Sequence, residues 1–344
     1  MAASCWGMMV AQTEPASDEP PSIIGSSPLG GLSGATGWIN SKPLKAKDLK
    51  GKVVLVDFWT YSCINCLRSL PYFEAWAQKY KDSGLVIIGV HSPEFGFEQK
   101  LPNVQRAVQK FGVTFPVALD SDYAIWKSFN NEYWPADYFV DIHGKVRHEH
   151  FGEGNYEESE RWIQELLKER SATGMPGGVV DVHARGVEAA PDAREVRSPE
   201  TYIGYKRAEH FASQGGIAQD KSREYTLPSQ PALNQWGFGG KWVDNEQVAV
   251  LKSAGGAIVF HFHARDLHLV LGPAAHNKPV RFRVTIDGQA PGENHGVDTD
   301  AQGNGVVTTY RLYQLVRQRD GVTDHVFKIE FLDPGVQAFS FTFG

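Results

Sequence analysis

The first half of the chain alternates short apolar runs with segments whose apolar residues recur at helical spacing. Two runs, at 53–56 and 85–91, are short and rich in β-branched residues, which predicts two buried strands. Between them, Leu67, Leu70 and Phe73 fall on one face and predict a helix. A helix that connects two strands of one sheet leaves them parallel. This half is therefore predicted to be an α/β domain.

The α/β domain is placed at residues 37–170, and its later elements follow from the same patterns. In chain order these are a helix, a strand, a short helix, a β-hairpin and a closing helix, at 104–111, 115–120, 124–129, 136–150 and 156–168. Stretches rich in Pro, Ser, Gly and charged residues predict a leader and linker at 1–36 and a second linker at 171–198. The first ten residues lack the basic segment with which a signal peptide begins. No apolar run approaches the ~18 residues of a membrane span. The sequence thus shows no clear signal peptide or membrane anchor.

From residue 199 to 344 the pattern changes to short β-type runs separated by turns. Val280, Phe282, Val284 and Ile286 alternate strictly with polar residues. Strands are predicted at 225–227, 240–242, 247–251, 257–264, 266–271, 280–286, 306–312, 325–331 and 338–343. Evenly spaced short strands of this kind predict an antiparallel β-sandwich.

Composition narrows the range of partners. The chain has 344 residues, 42% hydrophobic and 22% charged, with a net charge of −6. A negative net charge gives no reason to expect nucleic acid or an anionic membrane as a partner. Three cysteines are too few for a disulfide scaffold, so Cys63 and Cys66 are interpreted as functional.

Cys63 and Cys66 stand where the predicted strand turns into the predicted helix. At a helix N-terminus the unpaired N–H groups favour thiolate over thiol, which makes Cys63 the expected nucleophile and Cys66 the resolving thiol. The alternative is half of a zinc site. That site needs a second pair of ligands, and the one other cysteine is Cys5 in the leader, so redox chemistry is favoured.

The stretch Asp-Phe-Trp-Thr-Tyr-Ser-Cys-Ile-Asn-Cys at 57–66, with Pro71 after it, resembles the active-site motif of the thioredoxin superfamily, in its TlpA and redoxin branch. The resemblance implies that Asp57 takes the proton of Cys66. Burial at the end of an apolar strand would raise the pKa of this carboxyl and suit it to that role. The competing interpretation is a capping or turn residue. The resemblance also implies an N-terminal β-hairpin that begins near Trp38.

The thioredoxin fold places a cis-proline opposite the two cysteines, and the resemblance assigns that position to Pro135. An ordinary trans proline at a strand start is the alternative, and Pro116 is the rival position. Three aromatic residues are expected to form a rim around the sulfurs, although packing elsewhere would explain them nearly as well: Trp59, Tyr61 and Trp134.

The tracts at 202–208 and 236–242 resemble the carbohydrate-binding-module-like domain that follows the thioredoxin domain in DipZ-type cytochrome c biogenesis proteins. The resemblance implies a sandwich of the jelly-roll or carbohydrate-binding-module type and, by analogy of shape alone, glycan binding. An aromatic platform of Tyr205, Trp236 and Trp242 would support glycan binding, but core packing is the favoured interpretation of these residues. His261 and His263 share one face of a strand and would hold a metal if His268 converged with them. A solvated strand face is the favoured interpretation, and no metal is assigned.

Together these features predict a thiol–disulfide oxidoreductase that reduces protein disulfides and needs no cofactor beyond its cysteine pair. The resemblance implies a periplasmic or other extracytoplasmic location, a membrane or soluble thiol as electron donor, and a role in cytochrome c maturation or oxidative defence. Two alternatives stay open. A redoxin-type peroxidase would need a Pro-x-x-x-Thr-x-x-Cys pattern, which neither Cys63 nor Cys66 completes. A carbohydrate- or protein-binding adaptor would act through the β-sandwich.

Overall fold

The computed structural model describes residues 22–170 and 175–344, so Cys5 and most of the predicted leader lie outside the described residues. The first domain contains, in chain order, β1 (Gly37–Ile39), β2 (Val53–Trp59), α1 (Ile64–Tyr80), β3 (Leu85–His91), α2 (Leu101–Lys110), β4 (Val117–Leu119), α3 (Ala124–Ser128), β5 (Ala136–Val140), β6 (Val146–Phe151) and α4 (Tyr156–Arg170). Its sheet has the order β1-β4-β3-β2-β5-β6. The pairs β2–β3 and β3–β4 are parallel, and the others are antiparallel.

Strand β2 lies at the centre of this sheet, and all seven of its residues are buried. Side chains alternate between the two faces of a strand. Val53, Leu55 and Trp59 pack with α1 and α4, whereas Val54, Val56 and Phe58 pack with α3 on the other face. Asp57 therefore points to the face that α1 covers.

Two predictions for the N-terminal part of the domain are wrong. The predicted linker is folded in its last part, because a 3-10 helix at Pro28–Gly34 buries Leu29 and Leu32 against the sheet. Strand β1 does not form a hairpin with the next strand. Its residues pair with β4 instead, for example Trp38 with Ala118.

The second domain is all β, with strands β7 (Thr201–Tyr202), β8 (Ser222–Tyr225), β9 (Trp236–Asp244), β10 (Ala249–Leu251), β11 (Gly256–Phe262), β12 (Asp266–Gly272), β13 (Val280–Ile286), β14 (Asn304–Val307), β15 (Arg311–Arg317), β16 (His325–Phe331) and β17 (Gln337–Phe343). All its strand pairs are antiparallel. The strand predicted at 306–312 is divided between β14 and β15, because the chain turns after Val307.

Strand β9 joins the two layers of this domain. Its first residues pair with β11, and its last residues pair with β8 and β10. The change of partner occurs at Gly240, which has a φ of 84° and lies so close to Gly256 that a Cβ would be 2.9 Å from its Cα. The layers then face each other, with the Phe260 and Phe341 rings 5.0 Å apart. The predicted α/β domain followed by an antiparallel β-sandwich is confirmed.

From residue 175 onward, the segment between the domains lies against the first domain and is not a free linker. Met175, Val180 and Val187 pack against the core that α1 and α4 cover. Glu160 of α4 accepts a hydrogen bond from the Val180 N–H at 2.7 Å. This segment therefore extends the first domain toward the second.

The loop between β3 and α2 makes the apolar contact between the domains. Phe95 and Phe97 lie 5.2 Å and 4.7 Å from the Phe339 ring, and Phe97 stacks on Tyr310 at 5.1 Å. Both loop phenylalanines are buried. Within residues 22–170 and 175–344, no helix has the length and hydropathy of a membrane span.

Candidate active site

Cys63 lies at the N-cap of α1, immediately after the turn that leaves β2. Its Sγ accepts a hydrogen bond from the Cys66 N–H at 3.3 Å. Cys63 is partly exposed, whereas Cys66 lies one turn inside the helix with 1% of its surface exposed. Both thiols are free. The outer sulfur is thus open to a substrate, and the inner sulfur is reached only through the outer one.

Burial makes Cys66 a thiol rather than a thiolate. Desolvation raises its pKa well above the ordinary value, and the hydrogen bond and charge of Cys63 add to the effect. A buried thiol must lose its proton before it can attack a disulfide. The site therefore needs a proton acceptor on the inner side of the helix.

Two carboxyl groups occupy that inner side. Asp57 on β2 faces Asp137 on β5 as its direct cross-strand partner, and both are buried. Among the described residues, neither Asp57 oxygen has a hydrogen-bond partner. Desolvation raises the pKa of Asp57, with further contributions from Asp137 and Cys63, and burial raises the pKa of Asp137 to about 8.

Two carboxylates this close cannot both ionise readily, so the pair keeps a proton at pH values at which a solvated carboxyl has lost its own. When one of the two is ionised, the pair is able to accept a proton from Cys66 and to return it. Asp137 was not predicted, because the register that sets it opposite Asp57 depends on pairing between distant segments. Asp57 is buried near the end of β2.

The Trp134–Pro135 peptide bond is cis. Pro135 precedes β5, whose first residue, Ala136, pairs with Phe58 near the end of β2. Pro135 thus lies at the edge of the sheet from which the cysteines emerge, whereas the rival position, Pro116, precedes the parallel strand β4.

The predicted aromatic rim is wrong for two of its three members. Trp59 and Tyr61 are buried, at 0% and 2% exposure, because both pack beneath the active-site turn against His91. Trp134 is partly exposed and lines the same cleft as Cys63, with its Nε1–H donated to the Ser92 carbonyl. Only Trp134 is therefore placed to touch a substrate.

Glu98 supports the active-site turn, and no sequence pattern predicted this role. Its carboxylate accepts hydrogen bonds from the Ser62 Oγ at 2.6 Å and from the Ser62 N–H at 3.3 Å. The other oxygen accepts the N–H groups of Glu94 and Phe95. One side chain therefore connects the residue before Cys63 with the loop that contacts the second domain.

We expect Glu98→Gln to flatten the pH dependence of stability. Burial raises the pKa of Glu98 to about 7, so the folded state disfavours its ionised form. The wild type should lose roughly 3 kcal/mol of unfolding free energy from this group as pH rises from about 4 through 7, and Gln removes that loss. Urea unfolding at pH 5 and pH 8 measures the difference. An equal pH slope in Glu98→Gln and wild type would contradict this, and Glu132→Gln, at an exposed position of the same domain, serves as the control.

Cys63 opens into a cleft of about 450 Å³ that both domains line. The first domain contributes, besides Cys63, Asn65, Arg68 and Trp134. The second contributes Glu200, Tyr202, Arg207, Thr342 and Phe343. Participation of the second domain was not predicted, because it depends on how the domains meet.

Comparison with known proteins gives the family. The Redoxin family model matches residues 39–163, and the model described as the thioredoxin-like C-terminal domain matches 198–344. The thiol–disulfide oxidoreductase ResA of Bacillus thuringiensis is 30% identical over 128 residues, which cover 37% of this chain and 71% of ResA. The chain belongs to the thioredoxin superfamily. Within it, the match to the Redoxin model places the first domain in the redoxin-like branch.

Protein DipZ of Mycobacterium bovis is 40% identical to this thioredoxin-superfamily chain over 246 residues, or 70% of the chain and 34% of DipZ. The chain thus spans about a third of the length of the DipZ proteins it matches. A solved DsbE from Chlorobium tepidum, described as a putative thiol:disulfide interchange protein, is 26% identical, with a TM-score of 0.34, over 36% of this chain and 86% of DsbE.

The aromatic residues that would support glycan binding do not form a platform on the second domain of this thioredoxin-superfamily chain. Trp236 and Trp242 are fully buried in the sandwich core, and the Tyr205 hydroxyl donates to Asp220. Core packing, the favoured interpretation, is therefore confirmed for Trp236 and Trp242.

The three histidines of the second domain do not converge. His261 contacts the Pro231 carbonyl, His263 contacts Asp324 and Glu195, and buried His268 contacts the Thr342 carbonyl. In the described part of the chain, no group of three or more His, Cys, Asp or Glu side chains is arranged to hold a metal ion.

Proposed function

We propose that the chain reduces disulfide bonds in protein substrates, with Cys63 as the attacking thiol and Cys66 as the resolving thiol. The observation that supports this most directly is the contrast between the two sulfurs. Cys63 is accessible at a helix N-terminus in an open cleft, and Cys66 is a buried thiol beside a carboxyl pair. This asymmetry suits an ordered, two-step exchange.

In the first step the Cys63 thiolate attacks one sulfur of the substrate disulfide. A bond forms between Cys63 and that sulfur, and the substrate disulfide breaks. The second substrate sulfur leaves as a thiolate and takes a proton from solvent. Trp134 and Pro135 border the site where this mixed disulfide would lie.

In the second step Cys66 gives its proton to the Asp57–Asp137 pair and attacks the Sγ of Cys63. The Cys63–Cys66 disulfide forms, and the first substrate sulfur leaves and is protonated. The substrate gains two electrons and two protons, and the chain becomes oxidised. A dithiol donor of lower potential then restores the reduced pair.

We place this reaction outside the cytoplasm, as the resemblance to DipZ-type proteins implies. Apocytochrome c, with its closely spaced cysteines, is one proposed substrate, and other oxidised extracytoplasmic proteins are the alternative. The identity to DipZ over both domains supports this context.

The reduction of insulin disulfides tests the proposed direction. The reduced protein with excess dithiothreitol should precipitate insulin well above the uncatalysed rate, and Cys5→Ser should match it because its cysteine lies outside the motif. The reduction potential of the Cys63–Cys66 couple should fall near thioredoxin's value of about −270 mV. A potential near about −120 mV would mark an oxidant, and faster peroxide consumption than insulin reduction would mark a peroxidase.

A further inference from the structure

The cleft at Cys63 has the size of a binding site for a short segment rather than for a folded surface. Its volume of about 450 Å³ lies within the range of ordinary ligand pockets. One wall carries the thiol, and the opposite wall belongs to the second domain. Any polypeptide whose disulfide reaches Cys63 must therefore pass residues of the sandwich.

The charges in this cleft do not balance. Arg68 pairs with Glu153 at 2.9 Å, and Arg207 pairs with Glu94 at 3.0 Å. Glu200 lines the same cleft, and among the described residues no cationic group lies within 4 Å of its carboxylate. One carboxylate near the reactive thiol is left without a paired cation.

Glu94, Arg207 and Tyr202 are the charged and titratable groups that act on Glu200. Glu200 is exposed at the cleft. Partial desolvation and the charge of Glu94 raise its pKa, and Tyr202 and Arg207 oppose the rise. Arg207 lies over the Tyr202 ring at 3.4 Å, and Tyr202 donates its hydroxyl to Glu94 at 2.6 Å. Arg207 therefore pairs directly with Glu94 and not with Glu200.

We propose that this cleft binds the polypeptide segment around the substrate cysteine and that Glu200 selects segments with Lys or Arg beside that cysteine. The inference rests on the proposed function, since it concerns the substrate of the same thiol. The second domain then forms one side of the active-site cleft and contributes to substrate specificity. A cationic side chain in the cleft would pair with Glu200 and balance its charge.

Two matched oxidised peptides test this. They carry the same disulfide and differ in one residue beside the cysteine, Lys in one and Glu in the other. At pH 8 and low salt, the wild type should reduce the Lys peptide with a kcat/KM roughly tenfold higher than the Glu peptide. Glu200→Gln should lower this ratio to about threefold or less, and 0.5 M NaCl should lower it in the wild type.

Glu246→Gln is the matched control, because Glu246 lies in the same domain, pairs with Lys206 and does not line the cleft. Its ratio should equal that of the wild type. Equal rates for both peptides in the wild type, or an unchanged ratio in Glu200→Gln, would overturn the inference while leaving disulfide reduction intact. If the wild type reduced neither peptide nor insulin, the proposed function itself would fail, and the inference with it.

Discussion

Replacing Cys63 by Ser is expected to lower disulfide reduction at least ~10³-fold, because a serine hydroxyl is not ionised at neutral pH and cannot form the mixed disulfide. Cys66→Ser should behave differently. Its outer thiol still attacks, but the inner sulfur that releases the substrate is missing. The covalent complex between Cys63 and the substrate should accumulate and be visible by intact mass spectrometry.

The Cys5→Ser variant again provides the control, with wild-type turnover expected. Both active-site variants should keep the thermal unfolding transition of the wild type within a few degrees. Substantial turnover by Cys63→Ser would show that another group carries the reaction. A covalent complex on Cys66 in place of Cys63 would reverse the assigned roles.

The second large effect is expected for Asp57→Asn. An amide cannot take the proton of Cys66, so release of the mixed disulfide should slow about 10²-fold near pH 7. The first attack by Cys63 should change much less. Rapid-quench alkylation, which separates the two steps, measures both rates.

The same substitution should also change stability, with a sign fixed by burial. The pKa of Asp57 is raised in the folded state, so its ionisation above pH ~4 favours the unfolded chain. Asp57→Asn should therefore be more stable than the wild type at pH 8, and the gain should shrink toward pH 4. Asp122→Asn, at an exposed position of the same domain, should show neither effect. A loss of stability at pH 8 together with unchanged release would contradict the proposed role.

Sequence patterns predicted the parts of the site whose residues lie close together along the chain. The two cysteines, the strand before them and the helix after them lie within about 30 residues, and local patterns predicted all three. Asp57 was predicted from the resemblance of the motif around it and from its position at the end of an apolar strand, and both depend on neighbouring residues.

The missing parts of the site depend on contacts between distant segments. The register of β5 against β2 places Asp137 beside Asp57, and the packing of the second domain against the first places Glu200 in the cleft. Trp59 and Tyr61 were misplaced because an aromatic residue beside a reactive motif has the same sequence signature in a core as on a rim. The loop around Phe97 covers Tyr61, and Trp59 packs against His91.

The aromatic contact of Phe95 and Phe97 with the sandwich has a consequence for engineering. The first domain cannot be exchanged freely as a separate unit, since a fragment ending near residue 170 would lose the rings that cover Phe95 and Phe97. A chimaera that joins this half to an unrelated partner would need to transplant residues 94–98 and their counterparts Tyr310 and Phe339 as one unit.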